Sequence, residues 1–409
     1  MNWRMRYERS WGQLGMKSSN WEEKQFGELY KIPSRNGLSK PSRVRGSGYK
    51  MINMGELFSN DRIYNIDMEL VPLTDKEKEN AKVEKEDLLF ARQSLVASGA
   101  GKCSIVMETD DMTVFESHLI RVRLDSSIAN PMFYYYYFKS PFSPMKAIVQ
   151  HSVQAGIKAS DLEKLIVAVP SIEIQTKVVE VLSLIDNMIE KNIQINKNLL
   201  QQLHVLYLRL FCDSAMDTPL GDVVATTSGG TPSRKHDEYY SDSSICWVKS
   251  KELIGNYIHE TEEHINDLAI KKSSAKLLPE HSVLIAMYGA TVGAYGVISK
   301  PMTCNQAVCA LLCNENYPYT YLFQIAYESQ QKFINLAVGS AQQNISQVLI
   351  KQLNLHSDLD IIQRFHDLAL PMHQEIEFLQ AENMRLSALR DNLLPKLMSG
   401  ELDVSDIEL

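Results

Sequence analysis

The residue types able to do chemistry in this chain gather first in a basic run. Residues 31–50 hold Lys31, Arg35, Lys40, Arg43, Arg45 and Lys50 with no Asp or Glu among them, in a segment broken by glycine, proline and serine. Eleven Lys and Arg against four Asp and Glu give residues 1–50 a local charge of +7, so the net −8 of the chain conceals −15 over the remainder. A flexible basic loop suits sequence-independent contact with nucleic-acid phosphates, although a charge run taken alone is as well explained as a solvated face. Lys40, Arg43, Arg45 and Lys50 are the candidates for phosphate contact in the first half of the chain. A second set is needed, because phosphate contacts position a protein and base-edge contacts specify sequence. Arg92 and Gln93 follow a short apolar run; Arg suits guanine and Gln suits adenine because each can bond bidentately to those edges. Further along, Thr231, Ser233, Arg234 and Lys235 occupy a comparable polar loop, and Tyr288 falls where the first half has Gln93. Gln342 and Gln343 follow Gly339, as Gln154 precedes Gly156.

Other chemistries are approached and missed. An amino-methyltransferase holds its target base in an (Asp/Asn/Ser)-Pro-Pro-(Tyr/Phe) loop, and Asn130-Pro131-Met132-Phe133 fails at its third position. The aromatic continuation Tyr134 to Phe138 favours a packed helix. Ser98-Gly99-Ala100-Gly101-Lys102-Cys103 hints at a phosphate loop, but Val96 and Cys103 replace the required Gly and Ser/Thr, and a Gly-rich hairpin is the better reading. Six cysteines lie scattered without the C-x-x-C spacing that sets two thiolates on one zinc ion, so no metal is expected. Cys304, Cys309 and Cys313 sit in an apolar run that reads as a core strand. There is no H-E-x-x-H run and no nuclease-like carboxylate cluster. These absences favour a binding protein with no catalytic site or cofactor of its own.

The elements that must position these residues are organised by a repeat. Ile157, Leu165, Val167 and Gln175 match Ile345, Leu353, Leu355 and Gln363 at one constant offset of 188. Upstream the match loosens: Phe26-Gly27-Glu28-Leu29 resembles Leu220-Gly221-Asp222-Val223, and Asp87-Leu88-Leu89-Phe90-Ala91 resembles Ser282-Val283-Leu284-Ile285-Ala286. Pro131 answers Pro318, each leading into an aromatic helical pattern. The order is module, helix, module, helix. Each module mixes short apolar strands (51–54, 88–91 and 118–124; then 245–248, 283–287 and 307–312) with helical patterns, which predicts an α+β fold.

The helices are the clearest local signals. Residues 171–211 contain no Gly or Pro, and Val178, Ile185, Asn192, Leu199 and Leu206 recur every seventh position, flanked by Val181, Met188 and Ile195. Phe365, Met372, Leu379, Leu386 and Leu393 keep the same step near the C-terminus. Asp360 with Gln363 resembles a capping box there, and Pro371 is expected to kink or interrupt the first turns. Asn192, polar at a seam position, is expected to pin register at some cost in packing. A duplicated unit of this kind tends towards a pseudo-two-fold arrangement with the two helices antiparallel. Such a rod would hold one module at each end, suited to two separated half-sites that differ because the modules differ. The expected divisions are an N-terminal extension (1–20), a first recognition module (21–170), a central spacer helix (171–212), a second module (213–356) and a C-terminal helix and tail (357–409).

Composition agrees with a soluble, cytoplasmic protein. It is 44% hydrophobic and 22% charged, with no apolar run near the roughly 20 residues of a membrane helix. Arg4, Arg6 and Arg9 are not followed by the apolar stretch of a signal peptide, and residues 1–20 lie outside the repeat, leaving Met16 as an alternative initiator.

Several segments then converge. Gly229-Gly230-Thr231-Pro232-Ser233, Trp247-Val248, Ser282 to Gly289 with Ala290-Thr291-Val292-Gly293, Asn305-Gln306-Ala307, Gly339 to Ile345, and the tail Leu393 to Leu402 occur in order. With the repeat, they make the chain resemble the specificity subunits of type I restriction-modification systems over nearly its whole length. The first module departs from the pattern, with Asn36-Gly37-Leu38-Ser39-Lys40-Pro41-Ser42 for Gly-Gly-Thr-Pro-Ser and Glu116-Ser117 for Asn305-Gln306. The resemblance implies two α/β target recognition domains, with the helices as a spacer and a docking surface for two methyltransferase subunits. Those subunits would hold S-adenosylmethionine and methylate adenine on double-stranded DNA, and separate restriction/translocase subunits would cut unmodified DNA. Two other readings stand beside it: the recognition subunit of a type II-like modification system, and a non-catalytic coiled-coil scaffold that does not bind DNA.

Overall fold

The computed structural model of the protein describes residues 21–94, 99–149, 155–338 and 344–404. The chain divides into two compact units, one formed by residues up to Asn187 together with those from Leu386 onward, the other by Met188–Arg385.

In the first unit β1 (Tyr30–Asn36), β2 (Arg62–Ile63), β3 (Leu88–Ala91), β4 (Cys103–Val106) and β5 (Leu119–Leu124) form a five-stranded sheet in the order β1-β5-β3-β4-β2. All its pairings are antiparallel except β2 with β4. Alternation along the strands gives it two apolar faces. Leu88, Phe90, Ile120 and Val122 enter one core, and Leu89, Ala91 and Leu119 enter another with Met51, Ile52 and Phe115. The first core is closed by α1 (Pro131–Lys139), whose residues from Phe133 to Phe138 are all buried. The near-miss base-binding motif is this helix's start. The Asn130 carboxamide oxygen accepts from the amides of Met132 (3.0 Å) and Phe133 (3.4 Å), and Pro131 takes the first helical position, where its missing N–H costs nothing.

The second unit repeats this wiring. Strands β6 (Ala225–Ser228), β7 (Asn256–Ile258), β8 (Val283–Ala286), β9 (Tyr295–Ile298) and β10 (Val308–Leu312) stand in the order β6-β10-β8-β9-β7, with only β7 and β9 parallel. Small accessory sheets correspond as well. Glu22–Gln25 pairs with Ile166–Val169 in the first unit, and Met216–Pro219 with Asn354–His356 in the second. Gly37 and Gly229 share one constraint: a Cβ on either would collide with a backbone carbonyl, of Phe115 or of Cys304.

The three longest helices are α2 (Ile172–Phe211), α3 (Tyr319–Val338) and α4 (Leu359–Met398). Within the second unit α2 and α4 run antiparallel, with Asn192 against Glu382 and Asn383, and Tyr207 and Phe211 against Phe365. The Asn192 amide donates to Glu382 (2.7 Å) and Asn383 (2.9 Å), and Asn383 donates back to the Ile189 carbonyl (3.4 Å). Asn192 is therefore hydrogen-bonded across the seam. The buried stripe of α2 includes Val178, Leu182, Ile185, Leu203 and Tyr207, whereas Met188 and Ile195, expected beside the seam, are 41% and 37% exposed. A straight helix turns every 3.6 residues, so a strict seven-residue count drifts off the buried face.

For α4 the cap expected at Asp360 and the interruption expected at Pro371 are corrected. Its cap is Asp358, whose carboxylate accepts from the amides of Asp360 and Ile361 at 3.1 Å each, while Gln363 turns away to Asp367 (2.9 Å). The helix also continues through Pro371 without interruption. Proline forfeits one backbone bond there, and Phe365, Ala369 and Ile376, all buried, hold the turns on either side.

Candidate nucleic-acid interface

In the first unit the chain leaves β1 through Gly37 and runs beside the turn that precedes β5: Leu38 N donates to Phe115 O (2.8 Å) and Ser117 N to Leu38 O (2.9 Å). Arg92, just past β3, lies against the same turn, with its amide on His118 O (2.7 Å) and its guanidinium reaching Ser117 O (3.4 Å). Gln93 pairs with Gly156, and Ile157 N donates to Arg92 O. Arg92, Gln93, Ser117 and His118 thus form one cluster of partly exposed polar side chains at a strand end. The expected phosphate contacts are distributed differently. Lys40 is ion-paired with Glu77 (2.8 Å), Arg45 with Glu69 (2.6 Å) and Lys50 with Asp110 (3.1 Å). Arg45 also donates to Lys40 O (2.8 Å). Arg43, exposed in a short 3-10 turn, has no such partner among the described residues. The Lys50 and Lys40 ammonium groups lie first among the causes that hold the Asp110 and Glu77 carboxyls below the ordinary range.

The second unit uses the same scaffold with other side chains. Met287 N donates to Ala307 O and Ile345 N to Met287 O, repeating the bonds about Arg92, and Tyr288 forms an antiparallel bridge to Asn344 where Gln93 meets Gly156. Tyr288 is 43% exposed. Thr231 donates to Gln306, joining the glycine-led loop to the turn before β10. Ser233 and Lys235 are exposed beside it. Arg234 pairs with Glu263, which also binds Lys249, and its guanidinium stacks 4.3 Å from the Tyr240 ring centroid and 5.5 Å from that of Trp247. Gln342, Gln343 and Gln154 lie outside the described residues.

Two groups were not among the expected site residues. Gln306 and Lys249 are drawn in only by contacts distant in sequence. Cys246, Glu260 and His264 also converge, with one ligand atom from each within 4.8 Å of the others, because Cys246 and His264 are cross-strand partners. No cysteine spacing could announce that. The thiol donates to Glu260 (3.0 Å), and the Lys300 ammonium reaches the same carboxylate (3.3 Å), so a cationic group already faces it. Against the cost of burial, the bonds from Cys246, His264, Thr261 and Lys300 hold the Glu260 carboxyl down at about 2, while burial raises the Cys246 thiol. Among the described residues no helix is long and apolar enough to cross a membrane.

Two copies of one sheet topology, each carrying loops clustered at strand ends and each bound to long paired helices, define a repeated recognition-domain protein. The type I restriction modification DNA specificity domain family matches residues 18–203 and again residues 215–356, and the chain belongs to that family. Relatives include the specificity subunit of the type I restriction enzyme MjaIX from Methanocaldococcus jannaschii, 25% identical over 315 residues, which are 69% of this chain and 71% of that one. The HindI specificity subunit from Haemophilus influenzae is 24% identical over 188 residues, 45% of this chain and 40% of its own. The fold also resembles the crystal structure of the type I restriction-modification S subunit from M. genitalium, with a TM-score of 0.59 at 14% identity, over 92% of this chain and 96% of that one.

Proposed function

We propose that this chain is the non-catalytic reading subunit of its type I complex, binding a bipartite, asymmetric duplex with one half-site for each domain. The observation that carries this reading is the conserved wiring with exchanged side chains: Arg92 and Gln93 in one domain are Met287 and Tyr288 in the other, on equivalent backbone bonds. Equal scaffolds bearing unequal loops suit two different base sequences. The cap at Asn130 supports the absence of a base-flipping loop here, leaving methyl transfer to two partner subunits that bring S-adenosylmethionine. Restriction/translocase subunits complete the assembly, and the chain itself needs no cofactor. Lys40, Arg43, Arg45 and Lys50 are the proposed phosphate contacts in the first domain, and Thr231, Ser233, Arg234 and Lys235 occupy the equivalent stretch in the second. Arg92, Gln93, Tyr288, Gln342 and Gln343 are the proposed contacts at or beside the bases.

Genome-wide methylation mapping in the host, with and without this gene, tests the proposal. Deletion is expected to abolish methylation at one bipartite adenine motif. An unchanged methylome while the partner methyltransferase is expressed would overturn it.

A further inference from the structure

Recognition domain one carries a basic pocket that neither its fold nor its internal pairing explains. In β1 and β5 Arg35 and Arg121 are direct cross-strand partners. Like charges set opposite one another on adjacent strands destabilise a sheet unless something neutralises them. Among the described residues neither guanidinium has a carboxylate partner. Arg35 binds the side chain and carbonyl of Asn80, and Arg121 donates through Nη1 to Lys82 O (2.8 Å). Arg121 is only 5% exposed, and its buried Nε has no hydrogen bond. An unsatisfied buried donor is costly, and more so when it is charged.

The neighbours offset only part of this charge: Asp87 and Glu84 share the single Arg123, and both also favour the charged Arg121. Arg123 is fully engaged by Asp87 (2.7 Å) and Glu84 (2.7 Å), and Lys78 by Asp75 (3.2 Å). Lys82 has no side-chain partner among the described residues, and the exposed Glu79 is the single acid on the wall left to oppose it. Burial holds Arg121 below the usual guanidinium range; Asp87 works against this, and Arg123 and Arg35 add to it. These groups line an open cavity of about 600 Å³, with room for a phosphate and the sugar attached to it.

The second domain shows that the fold does not require the pair. Leu89 stands opposite Arg121 as Leu284 stands opposite Ala310, so the positions of Arg35 and Arg121 are taken there by Thr227 and Ala310. We propose that the pocket between Arg35, Arg121 and Lys82 is an anion site for a phosphate group, specific to domain one and separate from the Lys40–Lys50 loop. It extends the DNA-binding reading, whose phosphodiesters are one source of that group, but does not depend on it.

The test uses the full chain and inorganic phosphate, with Arg35→Gln as the exposed variant and Arg121→Met as the buried one. Phosphate is expected to raise the thermal midpoint of the wild type relative to chloride at equal ionic strength, and both variants are expected to lose that increment. A wild type indifferent to phosphate, or an increment retained in Arg35→Gln, overturns the site, whether or not the chain binds DNA. Salt-titrated duplex binding of Arg35→Gln then identifies the source. A slope reduced by about 0.9 marks a DNA phosphodiester, and an unchanged slope with the phosphate effect lost marks a free phosphate compound.

Discussion

At the scale of single residues, the availability of a charge depends on its partner as well as its type. Arg43 and Lys40 belong to the same basic run, yet Lys40 is tied to Glu77 and Arg43 has no ion pair among the described residues. Replacing Arg43 by Gln is expected to weaken binding to all duplexes alike and to reduce the salt slope by about 0.9, as for one lost phosphate contact. Lys40→Gln removes the same formal charge but also frees Glu77, so its slope should change by less than that of Arg43→Gln unless binding breaks the pair. Fluorescence anisotropy across a NaCl series, with matched and scrambled duplexes, reads both; a loss confined to the matched duplex would place Arg43 among the base readers. The positive charges were legible in the sequence. Their neutralisation was not, because Glu69, Glu77 and Asp110 are supplied by elements that only the sheet brings near.

Among the helices, α4 shows how tertiary packing overrides local rules. Its seven-residue step was legible, but its cap and its passage through Pro371 were not, since both depend on what the turns lie against. In the first unit a buried network joins the helices to the sheet. Asp186 accepts from the Tyr136 hydroxyl (2.7 Å) and pairs with Arg62 (3.3 Å) and Arg390 (3.0 Å). In the second unit the corresponding helical surface carries His373, fully buried, with Nδ1 2.8 Å from the Tyr257 hydroxyl and Nε2 unpartnered. Burial, then the charges of His366 and His281, depress its pKa from 6.5 to about 3. Because the folded value is lowered, the neutral ring is accommodated at full stability above pH 6.5, and stability is lost as pH falls from there towards 3. Between pH 7.5 and 5.5 this amounts to about 1.4 kcal/mol, or roughly 3–5 °C in the thermal midpoint of a unit of this size. His373→Gln should show a smaller acid-induced drop between those two pH values, by about that amount. Equal drops in both proteins would mean that His373 does not carry the acid sensitivity.

Across the whole molecule, the repeat was the most legible feature, because the apolar residues closing each core must recur wherever the core recurs. The exchanged loop residues could be named, but their geometry could not, since it follows from long-range backbone bonds. What the repeat hides is that the first unit is discontinuous: Leu397, Met398 and Val404 are buried in the same core as Phe26, Phe90 and Phe133. A chain ending at residue 385 should keep the second unit's protection against hydrogen exchange and lose that of the first. Survival of first-unit protection would show that the terminal segment is dispensable to it. The order of synthesis gives this arrangement a further consequence. The ribosome delivers Trp21 to Asn187 early, then makes Met188–Arg385, and only afterwards releases the segment that closes the first core. The domain translated first is completed last, so the nascent chain carries an unsealed apolar surface through most of elongation.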